Sequence, residues 1–202
     1  MSQKNSQLLD KLHETFPTTN KSRILQFYLN VILVLEGARP SYSVDIIPPK
    51  TKTRYDFINI VLDIYPDTFE IFKLEMPFIF LKSNASFITS TLETITFLNI
   101  GIALGYCCPI SRADADLNLM TIRLTIMATQ INNKTQEPTL IYCFGVPVSR
   151  LNETIMNSVY NKITNYNKIL KEYGYSVSLQ SKICWSQNNI KMVNSNVQSN
   201  KC

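Results

Sequence analysis

Hydrophobic residues recur along the chain with two periods, and these periods predict its elements. Apolar residues spaced three or four apart, such as Leu8 and Leu12, predict a first amphipathic helix. A broad apolar run over residues 24–35 predicts a second helix, which Gly37 terminates. The chain therefore begins with a helical pair over residues 1–38.

Alternation of apolar and polar residues then predicts strands. A short edge strand is expected near residues 44–47. One hairpin is predicted to join a strand over residues 58–64 to a strand over residues 72–80. A second hairpin is predicted to join residues 117–129 to residues 140–146.

A helix is predicted after each hairpin. The first begins at Ser83 and ends before Pro109, and its many apolar residues predict that it is covered on most sides. The second begins after Ser149 or Asn152 and ends at Gly174. A last strand is predicted over residues 175–185, and its core-facing side chains are Val177, Leu179, Ile183 and Trp185.

These elements predict an α+β fold. Two N-terminal helices precede a mainly antiparallel sheet built from two strand–strand–helix units plus a final strand, with the helices packed on one face. We expect a single domain over residues 1–186, with the sheet and its helices in residues 42–186, and a flexible polar tail over residues 187–202. The topology resembles that of small dimeric secretion chaperones, which are acidic, whereas this chain has a net charge of +5.

The composition limits the kinds of functional site that the chain can form. Apolar residues make up 45% of the chain, which argues against disorder, and His13 is the only histidine. The five cysteines include no Cys-x-x-Cys pair, so neither a zinc site nor a disulfide framework is predicted. Cys143 and Cys184 are interpreted as small core residues, because both fall in predicted strands. Residues typical of A/T-rich codons, such as isoleucine, asparagine and lysine, suggest a low-GC genome such as that of a large DNA virus.

The same features predict the compartment. The N-terminal segment is polar and has no secretory apolar region, so we expect a reducing, cytoplasmic or nuclear location rather than secretion. Residues 25–35 are too few to span a bilayer, and residues 87–108 include Glu93, so no membrane segment is expected.

The sharpest candidate for chemistry is the pair Asp114 and Asp116. On an extended segment, residues two apart point to the same side, about 6.5–7 Å from each other. Such a pair can hold a divalent cation, and Asp63 is the candidate third acid. Residues 105–117 resemble the glycine-then-Asp-x-Asp start of nucleotidyltransferase folds, although no Gly-Ser pair precedes the aspartates. The resemblance implies a phosphoryl or nucleotidyl transferase that uses Mg²⁺ or Mn²⁺.

Two further groups are candidate binding residues. Arg39 and Tyr42 lie in a compact connector after the second helix, where recognition residues are often found. Lys162 and Lys171 lie among tyrosines on the last predicted helix, in a basic half of the chain, and this pattern suggests an accessory protein that binds nucleic acid.

Because catalytic residue types are scarce, the leading hypothesis is a non-enzymatic protein-interaction module, either an assembly or an adaptor protein. Its partner would be another protein or a second copy of the chain, and no cofactor is expected. The metal-dependent transferase and the nucleic-acid-binding protein are the two alternatives.

Overall fold

The structure, a computed structural model, describes residues 3–112, 120–132 and 137–185. Helices and antiparallel strands in these residues form an α+β fold, as the sequence predicts. The helices are α1 (Gln3–Thr15), α2 (Lys21–Leu35), α3 (Arg54–Ile64), α4 (Ala85–Leu92), α5 (Phe97–Ala103) and α6 (Glu153–Lys171). The strands are β1 (Ser41–Ser43), β2 (Phe69–Phe72), β3 (Phe78–Leu81), β4 (Met120–Gln130), β5 (Thr139–Pro147) and β6 (Tyr175–Trp185).

Helix α2 lies at the centre of the core. Every residue from Ile24 to Val34 is buried, because the helix contacts α1, β1, β3, β5 and α6 on its different sides. Its first turn is capped by Asn20, whose Oδ1 accepts a hydrogen bond from the Ser22 N–H at 2.8 Å. The chain leaves the helix through Gly37, whose φ of 68° is the left-handed conformation that glycine adopts most easily.

The strands form two three-stranded antiparallel sheets rather than one. Sheet A has the order β1-β3-β2, and sheet B has the order β5-β4-β6. Sheet B and α6 follow the prediction closely, including the Asn152 cap of α6 and Gly174 after its last turn. Helices α2 and α6 cover one face of sheet B.

The strand predicted over residues 58–64 is wrong, because these residues belong to α3. Ile58 and Ile60 fit an alternating pattern, whereas Ile58 and Val61 fit one face of a helix, and all three residues are buried. The Asp56 carboxylate favours the helix over the strand. It accepts hydrogen bonds from the Thr53 N–H at 2.6 Å and from Thr53 Oγ1 at 3.0 Å, which fixes the start of a helix.

The first hairpin therefore forms over residues 69–81, and the second predicted strand, over residues 72–80, is divided by its turn. Strands β2 and β3 pair with each other, with Phe72 opposite Phe78, and β1 pairs with the other edge of β3. An edge strand is present at Ser41–Ser43, but residues 44–47, where it was predicted, are not in a strand.

The long helix predicted after Ser83 is also divided. It breaks between α4 and α5, where Thr96 caps the second helix by accepting a hydrogen bond from the Asn99 N–H at 3.1 Å. Only part of its apolar surface is buried, mainly Ile88 and Leu92 against sheet A. The prediction of a helix covered on most sides is wrong.

Three further predictions concern the last strand, the C-terminal tail and membrane-spanning segments. Ile183 is 60% exposed rather than core-facing, because α6 covers only the first half of β6. The tail predicted over residues 187–202 lies outside the described residues. No helix in the described ranges combines the length and the hydrophobicity that a bilayer crossing requires.

Candidate functional site

Arg39 is a buried cation at the end of the connector that follows α2. The backbone N–H groups of Ala38 and Arg39 both donate to the Leu33 carbonyl, at 2.9 and 3.0 Å, so the connector folds back onto the helix. This turn directs the arginine into the protein, where the residue is only 3% exposed. The connector, which was predicted to be a recognition loop, thus places Arg39 inside the protein.

The guanidinium of Arg39 is held by an amide and by aromatic rings. Its Nη1 donates to Oδ1 of Asn30, and the Asn30 amide nitrogen donates to the Gln26 carbonyl at 2.8 Å. Its central carbon lies 4.7 Å from the ring centre of Tyr142 and 5.6 Å from that of Tyr42. It forms no ion pair with any carboxylate in the described ranges, and its Nε has no hydrogen-bond partner there.

A cavity of about 280 Å³ lies beside this arginine. Its wall is mostly apolar and aromatic, and it reaches the surface at the exposed Met76 and Asp45. The lining residues used below are Arg39, Tyr42, Asp45, Ile100 and Tyr142.

Tyr142, from β5, is the aromatic residue that organises the cavity. It is 3% exposed, and its hydroxyl is buried without a hydrogen-bond partner among the described residues. Burial raises the pKa of Tyr142 well above its ordinary value of 10.0, and Arg39 partly opposes this effect. The hydroxyl therefore keeps its proton and is available as a donor.

Lys162 places a second cation at the same aromatic residue. Its Nζ lies 5.1 Å from the ring centre of Tyr142 and donates to the carbonyl of Gly105. Burial lowers the pKa of Lys162 below its ordinary value of 10.5, and Arg39 lowers it further, whereas Cys107 raises it. Gly105 has a φ of 70°, and a Cβ at this position would lie 2.8 Å from Cδ of Pro40.

The structure thus brings together three of the four predicted binding residues. Arg39, Tyr42 and Lys162 all surround the Tyr142 ring or its cavity. Lys171 is exposed in the last turn of α6 and joins none of these contacts in the described part of the chain. Asn30 and Tyr142 were not predicted. Asn30 could have been identified from the sequence, because it is a polar residue within the apolar run of α2.

The described residues do not show a metal site formed by the predicted acidic residues. Asp63 is exposed on α3 rather than on the predicted strand, and its role as a third acid stays a prediction. Asp114 and Asp116 lie outside the described residues, and the ranges that are described hold no group of three potential metal ligands. The metal-dependent reaction stays a prediction.

Cys143 is not a core residue. It lies on the face of sheet B opposite α2, where Nε of Arg123 donates to its Sγ at 3.1 Å. Cys184 is likewise only partly buried. Alternate residues of one strand point to opposite faces, and Phe144 rather than Cys143 takes the inward position.

A second candidate surface lies on α4, α5 and the turn between them. We call it the α4–α5 surface and define it by Phe87, Ile95, Phe97 and Leu98. These side chains are 48%, 52%, 56% and 36% exposed, respectively. The last three line a groove of about 620 Å³, and Ile100 lines both this groove and the Arg39 cavity.

Comparison with protein-family models, curated proteins and solved structures finds no match to this chain.

Proposed function

We propose that this protein is a non-enzymatic protein-interaction module that assembles through the α4–α5 surface, with a second copy of the chain as its partner. The observation that carries the proposal is the exposure of Phe87, Ile95, Phe97 and Leu98 on neighbouring elements. Contiguous patches of exposed apolar side chains are typical of surfaces that bind another protein.

The sequence of this segment supports an interface rather than an ordinary surface. A helix that is apolar on most sides is normally buried on most sides. Here Ile88 and Leu92 pack inward, whereas Phe87 and Phe97 remain about half exposed. Removing a large apolar side chain completely from water contributes about 1.5–3 kcal/mol, so covering the surface would stabilise an assembly.

Charge favours a second copy as the partner. Glu93 is the only charged residue in the sequence between Ala85 and Ala103, and Arg112 adds one charge of opposite sign to the lining of the groove. A nearly uncharged surface can meet its own copy without like-charge repulsion, even though the whole chain has a net charge of +5. Twofold dimers, in which one patch meets itself, are also the commonest protein assemblies.

Sedimentation velocity over a range of protein concentrations tests the proposal. We expect the wild type to form dimers, and we expect Phe97→Asp to be monomeric. Aspartate is favourable in the first turn of a helix, and Phe97 begins α5, so this change should leave the fold intact.

Tyr160→Asp is the matched control. Tyr160 is 55% exposed on α6, close to the exposure of Phe97, and it introduces the same charge outside the α4–α5 surface. This variant should sediment like the wild type. A wild-type chain that stays monomeric at every concentration, or a Phe97→Asp variant that still dimerises, would contradict self-assembly through this surface.

A further inference from the structure

We propose that the cavity beside Arg39 is a binding site for a small organic oxyanion, a carboxylate or phosphate attached to an apolar or aromatic body. The cavity shares Ile100 with the groove of the α4–α5 surface, but none of the four residues that define that surface lines the cavity, and the binding proposed here does not depend on assembly. Its ligand would bind the free edge of the Arg39 guanidinium and the Tyr142 hydroxyl.

Two buried polar groups without partners point to a ligand. Arg39 and Tyr142 both line the cavity, and each is only 3% exposed. In the described structure, neither Nε of Arg39 nor the Tyr142 hydroxyl has a hydrogen-bond partner. Buried polar groups are nearly always hydrogen-bonded, and buried charges are nearly always paired. Two such donors at one cavity therefore suggest that an acceptor belongs there.

The geometry of the guanidinium specifies the kind of acceptor. Nη1 is occupied by Asn30, whereas Nη2 donates to no described residue. Nε and Nη2 therefore form the free edge of the group. Two parallel N–H donors on one edge match two oxygens of a carboxylate or a phosphate, which is the strongest arrangement that arginine makes.

The wall of the cavity specifies the rest of the ligand. Besides Tyr142, it includes Ile100, Leu104, Tyr106 and Met76, whose side chains offer apolar or aromatic contact. A volume of about 280 Å³ lies at the lower limit of ligand pockets, which range over about 300–1,000 Å³. A single ring that bears one anionic group suits this space.

The charges nearby favour an anion. Lys162 lies beside Tyr142 and adds a second positive charge next to the cavity. Asp45 is the opposing group, but its side chain is exposed and accepts a hydrogen bond from the Tyr42 hydroxyl at 2.8 Å. Its charge is therefore better screened by water than that of Arg39.

The test uses the full chain and two probes, benzoate for the carboxylate and phenyl phosphate for the phosphate. The readout is the ¹⁵N–¹H signal of the Arg39 Nε–H group, with sodium chloride at matched ionic strength as the blank. We expect a saturable shift of this signal with at least one probe, and the probe that binds more tightly assigns the anion. The same binding is expected in the monomeric Phe97→Asp variant, which separates this result from the test of assembly.

Variants locate the site. Their affinities are measured from the backbone amide ¹⁵N–¹H signals of cavity residues such as Tyr42 and Ile100, because Arg39→Gln lacks the Nε–H group. Arg39→Gln should weaken binding more than about tenfold, because it removes a charge-assisted pair of hydrogen bonds. Tyr142→Phe should weaken it by about three- to tenfold, since it removes one neutral hydrogen bond. Lys171→Gln, which removes a positive charge from the exposed last turn of α6, should leave the affinity unchanged.

Several results would overturn the proposal. They are the lack of a saturable shift with either probe, a shift that sodium chloride reproduces, or equal affinities in the wild type and in Tyr142→Phe. The Tyr142→Phe comparison keeps the test decisive if Arg39→Gln does not fold, because losing one hydroxyl leaves the packing volume of the ring in place.

Discussion

Asn30 and Arg39 show how a charge is accommodated beside a hydrophobic core. Taking an ion out of water costs several kcal/mol, and a carboxylate partner usually offsets this cost. Here a neutral amide and two aromatic rings provide the contacts instead. Each cation–π contact contributes about 0.5–2 kcal/mol, so the compensation is incomplete and the arginine remains a strong site for an anion.

Tyr142→Phe is expected to stabilise the ligand-free protein by about 1 kcal/mol. The variant removes a buried hydroxyl that has no described partner, and an unsatisfied buried group costs about 1–3 kcal/mol. The free energy of unfolding in urea measures the effect.

Tyr65→Phe provides the contrasting variant. Its hydroxyl is also buried, but it donates to Oδ1 of Asn5. Losing this hydrogen bond should lower the free energy of unfolding by about 0.5–1.5 kcal/mol. If Tyr142→Phe also lowered the free energy of unfolding, the Tyr142 hydroxyl would have to be hydrogen-bonded in solution.

At the scale of elements, the first turn of α3 explains why residues 54–64 form a helix rather than a strand. The apolar residues of this segment satisfy both a helical and an alternating period, so hydrophobicity alone could not distinguish them. The Thr53-x-x-Asp56 sequence was a readable helix-start signal that separates the two interpretations.

Asp56→Ala should lower the free energy of unfolding by about 0.3–1.5 kcal/mol at neutral pH. The Thr53 backbone N–H, and then its hydroxyl, hold the pKa of Asp56 below its ordinary value of 3.8. A carboxyl whose pKa is lowered by folding stabilises the protein above its unfolded pKa, and this contribution is lost as the pH falls through the folded pKa. The difference between variant and wild type should therefore shrink under acid conditions.

Urea unfolding at several pH values measures this dependence, with Asp63→Ala as the control. Asp63 is exposed near the end of the same helix, where a negative charge is unfavourable, so its removal should not destabilise the protein. A loss of stability for Asp56→Ala that was equal at neutral and strongly acid pH would exclude the cap as its cause.

Helices α4 and α5 illustrate what the sequence could not show. Their apolar content correctly predicts helix, but it also predicts burial on most sides. The break at Thr96 and the small area of sheet A leave Phe87 and Phe97 uncovered within the chain. Hydrophobicity indicates that a surface is to be covered, but it does not indicate whether the same chain covers it.

At the scale of the whole molecule, α2 joins the two sheets into one core. It contacts β1 and β3 of sheet A, and it contacts β5 of sheet B. The class of fold and the second strand–strand–helix unit could be predicted, because they depend on local periods and caps. The division into two sheets and the cavity at Arg39 depend on contacts between residues distant in sequence, which a periodic pattern does not specify.

Phe27→Ala should destabilise the entire protein by about 3–5 kcal/mol in one transition. Phe27 is fully buried in α2, 5.4 Å from the ring centre of Phe57 and 6.0 Å from that of Tyr42. Far-ultraviolet circular dichroism reports on the helices, and the backbone amide NMR signals of residues 175–184 report on β6.

The two signals should change together in the wild type and in the variant. Ile183→Ala, at an exposed position of β6, is the control and should shift the stability by less than about 0.5 kcal/mol. Separate transitions for the two signals would mean that β6 unfolds independently of the helices.

The burial of α2 on every side has a consequence for synthesis on the ribosome. This hydrophobic segment leaves the exit tunnel before β5 and α6, which cover it and begin only at Thr139 and Glu153. A nascent chain must shield α2 from other molecules until β5 and α6 have also been translated. Truncated products that stop before Thr139 should therefore require chaperones or aggregate, however stable the finished protein is.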